Sequence, residues 1–192
     1  MKRDNHVRII GGRFRSRVLH FPAVPGLRPT ADRVRETLFN WIGQDLSGKV
    51  CLDLFAGSGA LGLEAASRGA ARVVMVERER AAFAALQENT AKLGAPNVAT
   101  VRQDALEFLV GDRERYDLIF LDPPFGSGLI SRLLGLAAKR LKEEAKVYLE
   151  CGSPPALPTG WSIWRQGRAG RVHYQLLERT HHDHESSLPR HL

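Results

Sequence analysis

Five short apolar runs, separated by stretches of helical periodicity, occupy the middle of this 192-residue chain and constrain its fold more than any other feature. They are Lys49–Phe55, Arg72–Val76, Val98–Arg102, Tyr116–Leu121 and Lys146–Cys151. Between them the pattern predicts helices from a glycine-rich turn to about Arg68, and over Glu79–Leu93, Ala105–Val110 and Leu129–Leu141. Strands that alternate with helices make a parallel sheet. Beyond Pro154, Pro155 and Pro158 the alternation ends, and Trp161–Gln166 with Arg171–Glu178, joined through Gly167 and Gly170, read as an antiparallel hairpin. The fold class is α/β.

In open α/β sheets ligands bind outside the carboxyl ends of the strands, so the residues at those ends matter most. The fourth run stops abruptly at Asp122-Pro123-Pro124-Phe125, which sets a carboxylate, two rigid residues and an aromatic ring at a strand end. The first run ends in Asp53-Leu54-Phe55-Ala56-Gly57-Ser58-Gly59-Ala60-Leu61-Gly62. Gly57, Gly59 and Gly62 fit G-x-G-x-x-G between a strand and a helix, and Glu77 lies 20 residues after Gly57 at the end of the next strand. Glycines let the backbone approach a ligand, the helix N-terminus offers free N–H groups, and the acid can accept both ribose hydroxyls. This is the pattern of a nucleoside site.

A dinucleotide fits that pattern, but two further acids favour a different ligand. Asp53 ends the first strand, where it can meet an ammonium group, and Asp104 ends the third, placed for an exocyclic amine such as adenine N6 or for capping the next helix. Acids at three neighbouring strand ends suit a ligand with an amine, a ribose and an adenine, which describes S-adenosylmethionine.

The N-terminal part has another character. Residues 1–50 carry ten Lys/Arg against four Asp/Glu, whereas residues 51–150 carry thirteen against fourteen. A basic arm on a near-neutral body suggests a polyanionic partner. Residues 7–22 suggest a hairpin on which Arg13, Arg15 and Arg17 alternate along one strand face, with Phe14 between them either stacking on a base or packing inward. A linker with Pro22, Pro25, Gly26 and Pro29 follows. Thr30 then reads as the N-cap of an amphipathic helix over residues 31–43, which presents Arg33, Arg35 and Glu36 on its polar face.

No apolar run approaches the ~20 residues of a membrane span, and no secretory signal is visible at the start. Cys51 and Cys151 lie in apolar runs without metal-ligand spacing and read as reduced core residues of a cytoplasmic protein. The tail from Thr180 is polar and expected to be disordered; its His181, His182, His184 and His191 imply no metal.

Asp53–Gly59 followed by Asp122–Phe125 resembles the first and fourth motifs of the amino-directed class I methyltransferases. Arg8-Ile9-Ile10-Gly11-Gly12 and the segment from Gly26 to Trp41 narrow the resemblance to the bacterial 16S rRNA guanine-N2 methyltransferases, from about Val7 to Glu178. The resemblance implies a seven-stranded Rossmann-like domain over residues 47–179, a small extension over residues 1–46 and a tail over residues 180–192. It implies a Phe55, Ala56, Gly57, Ser58 and Gly59 turn that holds the methionine part of S-adenosylmethionine with Asp53, and ribose held at Glu77 and Arg78. Asp104 and Ala105 would bind adenine, and Thr30 would close over the methionine end. Asp122, Pro123, Pro124 and Phe125 would hold the target base, and Arg8, Arg13, Arg15, Arg17, Arg28 and Arg33 the RNA. The implied partner is small-subunit rRNA in an assembled or nearly assembled particle, met by a monomer.

The chemistry of the residues agrees. A guanine amine is a poor nucleophile because its lone pair is delocalised, and the Asp122 carboxylate with the Pro123 carbonyl can accept its two hydrogens and aim that lone pair. Stacking on Phe125 would contribute ~1–3 kcal/mol. The same pocket suits DNA adenine-N6 or cytosine-N4 methylation, although no stretch is left for a separate DNA-recognition domain. A non-catalytic RNA-binding module and a dinucleotide-dependent oxidoreductase are the remaining alternatives.

Overall fold

The computed structural model describes residues 5–23, 30–124 and 128–180. Phe125, Arg28, the Pro25–Pro29 part of the linker and the histidine-bearing tail lie outside the described residues.

The chain begins with a two-stranded antiparallel hairpin, β1 (Asn5–Arg8) and β2 (Val18–Phe21), followed by helix α1 (Asp32–Ile42). Then come β3 (Val50–Asp53), α2 (Ala60–Ser67), β4 (Arg72–Val76), α3 (Arg80–Leu93), β5 (Val98–Val101), α4 (Ala105–Gly111), β6 (Tyr116–Leu121) and α5 (Ile130–Ala137). A 3-10 turn over Ala138–Arg140 leads into β7 (Leu141–Cys151), and β8 (Trp161–Ala169) with β9 (Val172–Arg179) follow as the last strands among the described residues. The seven-stranded sheet has the order β5-β4-β3-β6-β7-β9-β8. Pairings from β5 to β7 are parallel, and β9 is antiparallel to both β7 and β8.

Period-two alternation sends successive strand residues to opposite faces. Cys51, Leu118, Phe120 and Tyr148 join one core with α1, α2 and the hairpin. Leu52, Ile119, Leu121, Val147 and Leu149 join the other with α4 and α5. Helix α1 docks through Leu38 and Phe39, both fully buried, each contributing roughly 1.5–3 kcal/mol. Phe39 meets the Phe120 ring at 6.4 Å, and Trp41 meets Tyr174 at 5.5 Å.

Several expectations change here. Arg13, Arg15 and Arg17 do not alternate on a strand, because they sit in the turn between β1 and β2, where Gly12 and Ser16 adopt φ of 72° and 69°. Backbone hydrogen bonds from Ile9 N to Arg17 O and from Ser16 N to Ile9 O, both 2.9 Å, hold that turn. Phe14 packs inward, 6% exposed, with its N–H donating to Ser67 Oγ at 2.8 Å. Thr30 does not cap α1: Ala31 holds the cap position without a side-chain bond. Arg35 is not on a solvated face but fully buried. β7 starts at Leu141 rather than Lys146, since a left-handed Glu144 (φ 58°) and a register shift opposite Tyr116–Leu118 let the pairing run on. Gly167 lies within β8, and the hairpin turns at Gly170 instead. No helix of the described residues is long and apolar enough to cross a membrane.

Arg35 is buried because Glu64 is. The Glu64 carboxylate accepts from Ile10 N and Gly11 N at 2.8 Å each, from Arg35 Nη1 at 3.1 Å and from Arg68 Nε at 2.9 Å. Arg35 also donates to Arg8 O at 2.7 Å and to Asp32 Oδ1 at 2.6 Å. Replacing Glu64 with Ala strands two buried guanidinium groups, so Glu64→Ala should lower the unfolding free energy by about 3–5 kcal/mol in a denaturant titration.

Candidate active site

The strand order reverses at β3 and β6: from β3 the chain moves outward to β4 and β5, then returns to the other side of β3. The crevice above the carboxyl ends of these two strands is therefore where a ligand would lodge. Every acid singled out from the sequence sits around it.

Asp53 is the last residue of β3 and is 2% exposed. Its Oδ2 accepts from Gly62 N at 3.0 Å, which ties the strand end to the first turn of α2. Gly62 is required for that approach: a Cβ there would lie 2.5 Å from Met75 Sδ and 3.2 Å from the carboxylate itself. Gly59 leads into α2 with φ 81°, a left-handed conformation that costs other residues strain. Burial pushes the Asp53 carboxyl up to about 7, against the Gly62 and Phe55 N–H bonds that pull it down.

Glu77, just past β4, accepts from Gly57 N at 2.9 Å and from Glu79 N at 2.7 Å. It thus holds the glycine turn in place. Asp104 caps the next helix, one of the two roles the sequence left open. Its Oδ1 caps α4, accepting from Leu106 N at 2.9 Å, while its Oδ2 stands 3.9 Å from Arg78 Nη1. Ala105 is buried beside it, as are Ala56, Gly57, Ser58 and Gly59 in the turn, with Phe55 partly so.

Asp122 follows β6, with Pro123 buried and Pro124 exposed behind it. Burial, then the neighbouring Glu150 and Asp53, raise the Asp122 carboxyl well above the ordinary carboxylate range. Glu150 escaped the sequence reading. It lies in β7, 5% exposed, and its Oε1 accepts the Thr30 hydroxyl at 2.7 Å and the Tyr148 hydroxyl at 2.8 Å. The signal was present as one acid in the otherwise apolar end Val147-Tyr148-Leu149-Glu150-Cys151, next to the strand that carries Asp122. Thr30 meets the site only as the hydroxyl donor to Glu150.

The proposed RNA-binding arginines are scattered. Arg8, Arg13, Arg15, Arg17 and Arg33 are exposed. Arg13 donates to Gly94 O at 3.3 Å and Arg17 to Lys92 O at 3.1 Å, at the C-terminal end of α3. Because α3 runs down from β4 to the start of β5, that end lies opposite the crevice. There the two guanidinium groups satisfy helix-terminal carbonyls and oppose the helix dipole. The sequence reading could not separate this capping role from RNA contact.

A sheet of this order, with a glycine turn after its first parallel strand and acids at successive strand ends, defines a Rossmann-like class I methyltransferase fold. The family described as conserved hypothetical protein 95 matches residues 7–178, and the chain belongs to it. It is 44% identical over 189 residues to ribosomal RNA small subunit methyltransferase D of Escherichia coli, covering 93% of this chain and 96% of the relative. The protein of the same name from Haemophilus influenzae is 38% identical over 180 residues, covering 90% and 93%. The solved structure of Escherichia coli yhhF superposes with a TM-score of 0.82 at 45% identity, covering 91% of this chain and 98% of that one. Nothing in this leaves support for the dinucleotide oxidoreductase.

The raised Asp53 carboxyl has a measurable consequence. Its folded pKa lies near 7, above the unfolded value near 4, so its contribution to stability is complete below pH 4 and lost as pH rises to about 7. Asp53→Asn should remove that loss, so that the variant gains on the wild type by up to about 4 kcal/mol from pH 4 to pH 7 in urea titrations.

Proposed function

We propose that the protein transfers a methyl group from S-adenosylmethionine to the exocyclic N2 of a guanine in small-subunit rRNA. Its substrate is proposed to be an assembled or nearly assembled particle and its working form a monomer. The observation that carries this reading is the placement of Asp122-Pro123-Pro124 beside the glycine turn, at the one point where the strand order reverses. The names borne by the relatives, ribosomal RNA small subunit methyltransferase D, supply the substrate class.

The residues present suit the cofactor. Asp53 offers a buried carboxylate for an ammonium group, Glu77 an acceptor for ribose hydroxyls beside Gly57, and Asp104 an oxygen beyond its capping bond for adenine N6. When bound, S-adenosylmethionine supplies a methyl group already activated on a cationic sulfur. The protein's own work is positioning. The Asp122 carboxylate and the Pro123 carbonyl accept the two amine hydrogens, which leaves the lone pair facing the methyl. Asp122 then takes the departing proton, a role favoured by the raised proton affinity that burial and its acidic neighbours give it. The flipped or looped base stacks on Phe125.

RNA is held by Arg8, Arg28 and Arg33 together with the turn arginines. Arg13 and Arg17 each spend a donor on α3, and a guanidinium has donors left for phosphate. Neutralising Arg13, Arg15 and Arg17 together should weaken RNA binding and make its logarithmic salt dependence shallower by up to about 2. Unchanged affinity in filter-binding titrations would leave these residues only their helix-capping role.

The central test is Asp122→Ala. Methyl transfer to small subunits from a strain lacking this protein, read as N2-methylguanosine by mass spectrometry, should fall by about 10²-fold or more. Calorimetric affinity for S-adenosylhomocysteine should stay within a few-fold of wild type. Normal turnover by the variant would remove Asp122 from the chemistry.

A further inference from the structure

We infer that Glu150 reads the N1–H of the target base and so selects guanine over purines with an unprotonated N1; the inference rests on the function proposed above.

β6 and β7 run parallel in the register Phe120–Tyr148 and Leu121–Leu149. One step further, Asp122 and Glu150 stand side by side at the strand ends. Side chains at matched positions of parallel neighbours leave the same face of the sheet. Adjacent strands lie about 4.8 Å apart, so two carboxylates face the crevice at a spacing that suits one edge of one base. Asp53, in register with Phe120, belongs to the same face on the next strand.

The Glu150 carboxylate is held as an acceptor. Its Oε1 takes two hydroxyl hydrogens, from Thr30 at 2.7 Å and from Tyr148 at 2.8 Å. These fix its rotamer, and Tyr148 is itself fully buried, with its ring edge-on to Phe120 at 6.3 Å. Oε2 has no hydrogen-bond partner among the described residues. A buried acceptor held in this way prefers a donor at the next position of the ligand.

Guanine has that arrangement. With its two N2 hydrogens on Asp122 and the Pro123 carbonyl, its N1–H is the next donor along the edge and points toward the neighbouring strand. Adenine, 2-aminopurine and 2,6-diaminopurine carry a lone pair at N1, which would confront the Glu150 oxygen. A site built to accept a hydrogen rejects the analogue without it far more strongly than an apolar pocket rejects a size mismatch. The sheet thus divides the work: β6 holds the reacting amine and β7 identifies the base.

The test uses the full-length protein saturated with S-adenosylhomocysteine and two probes, guanosine 5′-monophosphate and 2-aminopurine riboside 5′-monophosphate. The second keeps the 2-amine and lacks N1–H. By NMR titration the wild type should bind the guanine nucleotide at least about 10-fold more tightly. Glu150→Gln, whose amide can donate to an unprotonated N1, should bring that ratio to about one or invert it. Asp122→Ala should weaken both probes and leave the ratio. Glu150→Asp keeps the charge and withdraws the oxygen by one methylene. It is the second variant should Glu150→Gln fail to fold, and the same collapse of the ratio is expected.

A folded Glu150 variant that keeps the wild-type ratio overturns the inference. So does a wild type that binds both probes equally. Wild-type methylation of small subunits is measured alongside. If N2-methylguanosine appears while the ratio does not respond, Glu150 alone is misassigned. If no N2-methylguanosine appears, the proposed function fails first.

Discussion

Glu64 gathers five N–H donors in the interior, from the backbone of Ile10 and Gly11 and from the guanidinium groups of Arg35 and Arg68. The segment after β1, helix α1 and the end of α2 meet on that carboxylate. The backbone donors fix the strand leaving β1, Arg35 carries α1, and Arg68 ends α2, with a further bond to Gln44 beyond α1. An ion cluster of this kind contributes little net stability over an apolar replacement, because desolvating the charges offsets most of their attraction. It does make one arrangement of arm, helix and sheet far better than its competitors. Since α1 follows directly on Thr30, fixing α1 also fixes where the Thr30 hydroxyl meets Glu150. A contact outside the crevice thereby sets part of its lining.

The sheet could be read from the sequence almost strand by strand. Arg72–Val76 and Tyr116–Leu121 have the predicted bounds, because each is an apolar run cut off by polar or rigid residues. β7 could not be bounded at its start, since Leu141–Ala145 is charged and irregular and its pairing depends on a bulge opposite β6. Asp53, Glu77, Asp104 and Asp122 were legible for the same reason as the strands: position along a run reveals position in the sheet. Arg35 was illegible. On a helical wheel it shares the polar face with Arg33 and Glu36, and burying it becomes tolerable through distant partners, Glu64 29 residues away and the Arg8 carbonyl, that the local sequence does not show.

Thr30 shows a second limit of local reading. A threonine just before a helix satisfies the rule for an N-cap, whose oxygen accepts a backbone N–H, but Ala31 takes the cap position and the Thr30 hydroxyl donates to a buried carboxylate 120 residues away. The arginines of the β1–β2 turn err in the opposite direction. Concentrated positive charge suggests a polyanion, yet carbonyls at a helix C-terminus compete for the same donors. Composition alone cannot weigh the two uses.

The three carboxylates of β3, β6 and β7 form a row that differs in how well each is satisfied. Asp53 has two backbone N–H groups, and Glu150 has two hydroxyls. Asp122 has no hydrogen-bond partner among the described residues, although burial and both neighbours raise its proton affinity. Three acids so close cannot all be ionised without cost, so the row favours whatever brings hydrogen-bond donors or positive charge into it. Under the proposed function a cationic amine would relieve the Asp53 end, an exocyclic base amine the middle at Asp122, and a ring N–H the Glu150 end. Strain of this kind persists at functional sites because the ligand relieves it. In the proposed function the relief would run from cofactor side to base side along one sheet face.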